Sequence, residues 1–355
     1  MPCPNARPAN PSHSSTISHQ APFLYRWPPA GAFSCFLSMG TQCRSPSTNF
    51  RTRNRVVASY AITQMSRTIS IIGAGRVGQT VAKRLRKLGW RIGAVVTRSR
   101  RSARAAVRAI GAGTPHSSLT PEAFDADVIL LAVPDDVLEN VAQKLAKIAG
   151  SGPSKKSRAK IVLHTSGALD HRVLAPLARR GVATGSMHPM QTFSGRAAPR
   201  LEGVIFSIEG ARSARAAAQK IARSLGGTPV IISANDKPAY HASGTIVAGH
   251  ALSLVESATQ TLMKIGFTRR RANQALLPLI RQMLDNYESL GPHAAWTGPL
   301  SRGDYATISK HTRALRRFPR EFQDAYRALA LLSARVLSKK PAVTARTINR
   351  ALKRP

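Results

Sequence analysis

Apolar positions in this chain follow two rhythms. Between Thr68 and Ile232, short apolar runs alternate with stretches of helical spacing; beyond Ser233 only the helical spacing persists. The runs Thr68–Ile72, Ile92–Val96, Asp127–Val133, Lys160–His164, Val182–Met187, Val204–Ile208 and Pro229–Ile232 predict strands, with a short one near Gly113–Ser117. Unbroken apolar runs suit parallel strands covered on both faces. Between the first two runs, Val77, Val81, Leu85 and Leu88 recur at helical intervals, as a helix lying on a sheet requires. A further helix is predicted over Ala211–Leu225, completing a last strand–helix–strand unit.

This alternation predicts an α/β fold, a Rossmann-like doubly wound parallel sheet over residues 65–233. Long helices are predicted next, over Lys237–Ile265, Arg269–Leu290, Asp304–Ala314 and Pro319–Lys339, with Gly291-Pro292 as a break. They define an all-α domain over residues 234–339. Gly244 and Gly249 inside the first of these helices suggest close approach by another helix or a ligand, since glycine there costs up to ~1 kcal/mol relative to alanine. Residues 340–355 read as a basic, peripheral tail, and Gly150–Lys156 as a loop.

The turn after the first run carries the most chemistry. Gly73-Ala74-Gly75-Arg76-Val77-Gly78 joins a strand to a helix. In such a turn the first glycine permits the bend, the second lets backbone approach a diphosphate, and the third allows close helix–sheet packing. The free amides and dipole of the helix start favour the anion. Cofactor contacts are accordingly expected from Gly73, Gly75, Arg76, Val77 and Gly78. NAD-selective sites place a carboxylate about 20 residues beyond the glycines. Here no acidic residue precedes Glu122, and the second strand runs into Thr97-Arg98-Ser99-Arg100-Arg101. Guanidinium and hydroxyl donors match a 2′-phosphate, so NADP(H) is expected, with Thr97, Arg98 and Ser99 at its adenosine end. Strand ends in open α/β sheets face the ligand crevice, which adds Val133, Pro134, Thr165, Ser166 and Gly167 near the nicotinamide.

Composition narrows the partners. The chain has 355 residues and a formal charge of +37, yet only 5% of residues are aromatic. The basic residues are scattered without interleaved aromatics, so a nucleic-acid platform is disfavoured. The first 64 residues hold no Asp or Glu, eight prolines and all three cysteines. They read as a segment outside the fold, either a targeting peptide or an over-long start; Met65, three residues before the first strand, favours the latter. With no cysteine from Met65 onward, the core offers neither thiolate nucleophile nor cysteine-held metal, which is compatible with a reducing cytoplasm. No metal-ligand spacing is present, and no run reaches the ~18 apolar residues of a membrane span.

Taken together, GAGRVG (73–78), AVPDD (132–136), HTSGA (164–168), HPMQTF (188–193), YHASGTIVAGH (240–250) and WTGPLSRGD (296–304) carry a resemblance. The N-terminal half resembles the Rossmann domains of pyrroline-5-carboxylate reductase, ketopantoate reductase and deazaflavin-dependent NADP reductases. From Met65 to Leu332 the chain is similar to an uncharacterised bacterial family that couples a Rossmann-like NADP-binding domain to a helical C-terminal domain of unknown function. The resemblance implies a helical domain like that of 6-phosphogluconate dehydrogenase, used for homodimerisation, and supplies no substrate. Related β-hydroxyacid dehydrogenases carry a catalytic Lys and Asn inside the first helix of the second domain. Here that helix has Ser243 and His250, with Lys237 only at its start, so lysine-assisted oxidation is disfavoured.

Reduction of a small C=O or C=N compound demands less: orientation and one proton donor beside the cofactor. His188 and His241 are the expected donors, and Arg302, in a Gly-Pro turn before Asp304, an expected anion clamp. His164 reads as structural and His250 as packed between helices. A non-catalytic NADP(H)-binding sensor is the alternative, because fold alone does not confer chemistry.

Overall fold

A computed structural model describes residues 67–149, 160–195 and 198–353. The expectations for residues 1–64 and for the loop at 150–156 lie outside the described residues. The sheet has eight strands in the order β3-β2-β1-β4-β5-β6-β7-β8. These are β1 (Thr68–Ile72), β2 (Arg91–Val96), β3 (Thr114–His116), β4 (Val128–Leu131), β5 (Ile161–His164), β6 (Ala183–Pro189), β7 (Ile205–Gly210) and β8 (Thr228–Ile231). Strands β1 to β6 run parallel, and β7 and β8 are parallel to each other. The β6–β7 pairing is antiparallel, with His188 opposite Ser207, so the sheet is not uniformly parallel as the sequence pattern suggested.

Alternation along the central strands divides the core between two layers. Val128 and Leu130 of β4 join Ile69 and Ile71 of β1 under the helices α1 (Arg76–Lys87), α2 (Arg100–Ile110) and α5 (Arg212–Ser224). Ile129 and Leu131 point the other way, into a cluster with α3 (Asp135–Ala149) and α4 (Ala175–Ala178). Helices on both faces make this a doubly wound α/β domain.

Behind β8, α6 (Lys237–Thr245) leads through a π-helical turn, Ile246–His250, into α7 (Ala251–Lys264). The single helix anticipated here is therefore interrupted. A methyl on Gly244 would stand 2.7 Å from the Met190 sulfur, whereas one on Gly249 would meet only Thr245, at 3.7 Å. The close neighbour of Gly244 is a loop, not another helix. His250 lies exposed in the π turn, not packed between helices.

Helix α8 (Arg269–Ala295) bends where Gly291 takes φ of 77°. Then follow α9 (Pro299–Arg302), α10 (Tyr305–Ala314), α11 (Arg320–Leu337) and α12 (Pro341–Lys353). The anticipated peripheral tail is thus a helix. Ile348 and Leu352, one turn apart, are buried against Ile308 of α10 and Ala330 and Ala334 of α11. Among the described residues, no helix is long and apolar enough to cross a membrane.

Candidate functional site

The glycine turn shows why each glycine stands where it does. Gly73 takes φ of +86°, and a methyl there would lie 2.6 Å from the Ala132 carbonyl and from Val133 Cγ1. A methyl on Gly78 would lie 2.6 Å from the Gly73 oxygen, so the start of α1 rests on the turn itself. Gly75 differs: nothing lies within 4 Å of where its methyl would point. No side chain caps α1 at Gly75, and its first turn has no acidic residue, which leaves the leading amides open to an anion. Val77 packs partly into the core. The Arg76 guanidinium donates to the Phe193 carbonyl at 3.2 Å, reaching across to the loop after β6.

At the end of β2, the Thr97 hydroxyl donates to the Ser99 carbonyl at 3.1 Å. The Ser99 hydroxyl caps α2, accepting from the Ser102 amide at 3.2 Å. Arg98, Arg100 and Arg101 are exposed. Among the described residues they pair with no carboxylate.

The ends of β4 and β5 are joined by hydrogen bonds. The Thr165 amide donates to the Leu131 carbonyl at 3.0 Å. The Ser166 hydroxyl donates to Asp135 Oδ2 at 2.8 Å and accepts from the amides of Ala168 and Leu169. Asp135 opens α3, directly after Val133-Pro134, so one hydroxyl ties this rim together.

Gly167 is buried beneath two imidazoles. A methyl on it would collide with the His241 ring and lie 2.8 Å from His188 Nε2. The two rings meet edge to face with centroids 5.6 Å apart, and Tyr240 meets His188 in the same manner at 5.7 Å. His188 Nδ1 and the Tyr240 hydroxyl are 3.5 Å apart. The structure therefore gathers Gly167, His188 and His241. Arg302 is not brought to them: it is exposed at the end of α9, which packs on α10. Asp304 caps α10 through the Thr307 amide, at 3.1 Å.

Sequence reasoning passed over the residue at the centre of this arrangement. Lys237, the first residue of α6, is fully buried. Its Nζ donates to the Ser166 carbonyl at 2.9 Å and to Ser186 Oγ at 2.8 Å. Burial lowers its pKa to about 8, against the opposing pull of Glu209, Asp170 and Asp135. Glu209, itself buried on β7, accepts from the His171 amide at 2.9 Å and from the His171 ring. Asp170 grips Arg172 with both oxygens.

Desolvation, then the Lys237 ammonium and His241, depress the His188 pKa to about 4. His164 falls to about 3 for the first two of these reasons, consistent with a ring fully buried at the end of β5. Burial pushes the Tyr240 phenol upward. Tyr240, Ser186 and Asp135 were likewise not singled out from the sequence. The available signal was the spacing of Lys237 and Tyr240, one turn apart on one helix face just after a sheet ends. Among the described residues, no three His, Cys, Asp or Glu side chains gather as a metal would need.

Comparison with known proteins agrees with this architecture. Residues 52–189 match a Rossmann-like domain, and residues 204–332 match a domain of unknown function, DUF2520. No curated protein sequence matches the chain. Among solved structures, a candidate NADP oxidoreductase from Bacteroides fragilis is 24% identical, with a TM-score of 0.61 over 75% of this chain and 96% of that one. A Thermotoga maritima protein is 20% identical, with a TM-score of 0.56 over 79% of this chain and 100% of its own. A reductive aminase from Aspergillus terreus, solved with NADPH and ethyl-5-oxohexanoate, is 16% identical, with a TM-score of 0.56 over 76% of this chain and 94% of its own.

Proposed function

We propose that this chain, which matches a Rossmann-like domain over residues 52–189 and DUF2520 over residues 204–332, is an NADPH-dependent oxidoreductase that reduces a small C=O or C=N compound. The observation that carries this reading is the open space at Gly75. It lies between a helix start without a side-chain cap and the exposed arginines that follow the second strand. A diphosphate fits the first feature, and a 2′-phosphate the second. Gly73, Gly75, Arg76, Val77 and Gly78 would hold the diphosphate. Thr97, Arg98 and Ser99 would hold the ribose phosphate; the Ser99 hydroxyl already caps α2, so Arg98 is the main contact. Val133, Pro134, Thr165, Ser166 and Gly167 would border the nicotinamide.

When bound, NADPH supplies hydride. The chain's own groups must then orient the acceptor and provide a proton. His188 and His241 converge on Gly167, and Tyr240 meets the His188 ring, at the end of the crevice where the nicotinamide belongs. The reductive aminase of like fold was solved with NADPH, which supports the same cofactor here.

We also propose a homodimer formed through the helical half. Leu279, Leu284, Tyr287 and Leu290 of α8 and Leu252 of α7 are each more than half exposed, as are Ile246 and Val247 in the π turn. Large contiguous apolar surface marks an interaction face, and a second copy is the partner that the symmetry of most oligomers favours.

The test is calorimetric titration of the purified chain with NADPH and NADH, followed by NADPH oxidation against a panel of keto acids and cyclic imines. Submicromolar NADPH binding with turnover supports an enzyme. Binding without turnover across the panel indicates the sensor, and absence of binding removes both.

A further inference from the structure

Resting on the reductase reading, we propose that Tyr240 is the proton donor of this site. His188 is a neutral partner that supports it, and Lys237 is the positioning residue that sets both in place.

The geometry has three parts. Lys237 is the first residue of α6 and Tyr240 stands one turn later, on the same helix face. The Lys237 ammonium reaches the Ser166 carbonyl and the Ser186 hydroxyl, which pins the first turn of α6 to the loop after β5 and to the middle of β6. Ser186 and His188 are two residues apart on β6, so they share a face of the strand. One buried cation thus fixes the helix carrying Tyr240 and the strand carrying His188, and the two rings meet edge to face as a result.

The charges around His188 decide which group can give up a proton. Lys237 and His241 of α6 both disfavour an imidazolium there, and burial acts in the same sense. Its neighbour on β7 is Ser207, which carries no charge. The carboxylates of Glu209, Asp170 and Asp135 are held by His171, Arg172 and Ser166; their charges act on Lys237 and are not among the causes that act on His188. His188 therefore stays neutral near pH 7, while burial keeps the Tyr240 phenol protonated. A neutral imidazole with its proton on Nδ1 would donate to the phenol oxygen, leaving the phenolic proton free for substrate.

The step balances. As hydride adds to the carbon of C=X, where X is O or N, the π pair moves to X and X takes the proton of Tyr240. The phenol O–H bond breaks, the phenolate accepts the hydrogen bond from His188 Nδ1, and water restores the proton. The half-exposed position of Tyr240 admits that water.

The test uses the full chain with ring-15N histidine, the His188 resonance being assigned by His188→Gln. At pH 7 the His188 ring is expected neutral, protonated on Nδ1, and to take up its second proton below about pH 5. In Lys237→Met that midpoint should rise by about one unit, the direction expected when a like charge leaves; a purely structural lysine would not move it. Tyr240→Phe should keep NADPH affinity within about twofold and lose on the order of 100-fold or more in turnover, as removal of a general acid does. A charged His188 ring at pH 7, or one protonated on Nε2, overturns the assignment whether or not a substrate is known. So does undiminished turnover by Tyr240→Phe. Loss of NADPH binding by the wild-type chain would instead strike the reductase reading, leaving the ring measurement to judge the Tyr240–His188 pair.

Discussion

Adding one methyl group at Gly75 or at Gly78 should produce opposite defects. At Gly78 the methyl would lie 2.6 Å from the Gly73 oxygen and 3.2 Å from Ala132 Cβ and Ile71 Cγ2. Ordinary contact needs roughly 3.5 Å, and the oxygen is backbone, so α1 must back away by several tenths of an ångström. Overpacking of this kind costs about 1–3 kcal/mol. Replacing a helical glycine returns up to about 1 kcal/mol, so Gly78→Ala should lose about 1–2 kcal/mol. At Gly75 the methyl meets nothing within 4 Å, and a φ of −76° is open to alanine. Gly75→Ala should therefore stay within about 0.5 kcal/mol of wild type. It should nonetheless weaken NADPH binding by about tenfold or more, or about 1.4 kcal/mol, because its methyl occupies the space assigned to the diphosphate. Urea unfolding and NADPH titration of the two variants read these quantities separately. Wild-type NADPH affinity in Gly75→Ala would refute the cradle, and an unchanged urea midpoint in Gly78→Ala would refute the packing argument.

Three further outcomes are expected. Arg98→Ala should weaken NADPH binding by about tenfold while leaving NADH within about twofold; equal losses in parallel titrations would remove the 2′-phosphate assignment. Lys237 has a folded pKa near 8, below its ordinary 10.5, so between these values the unfolded chain binds the extra proton. Stability attributable to this group is lowest below pH 8 and rises toward pH 10, by roughly 1–3 kcal/mol; the wild-type urea midpoint should therefore rise relative to that of Lys237→Met over that window, and a constant difference would contradict it. Leu284→Glu, on the exposed face of α8, should shift sedimentation toward monomer with far-UV dichroism unchanged, whereas an unaltered sedimentation profile would place the dimer contact elsewhere.

The glycine turn was legible because its demands fall on residue type: only glycine tolerates the φ of Gly73 and the backbone contact at Gly78. His188 and His241 were legible because residues at the ends of sheet strands, and at the start of the next helix, tend to converge. Lys237 was not. A lysine at a helix start reads as solvated, and its burial depends on Ser166 of the loop after β5, Ser186 of β6 and Glu209 of β7 arriving together. Glu209 reaches this place only through the antiparallel entry of β7, which no local pattern announces. The same pairing extends β6 through His188 to Pro189, opposite Phe206, two residues beyond the apolar run Val182–Met187. At the C-terminus, Arg346 and Arg350 masked the apolar step Ile348–Leu352, which proved to be the face of α12 that packs.

The lysine strut has a bearing on how this molecule can be rebuilt. The two halves are joined in the chain by a few residues after β8, yet the first side chain of the second half is seated inside the first. A chimera that fused another helical module behind β8, at the convenient sequence boundary, would remove a plug from the sheet's rim and leave a serine hydroxyl and a carbonyl unmatched. Any workable graft must keep the opening turn of α6 with the nucleotide half and make its splice further downstream, beyond Tyr240.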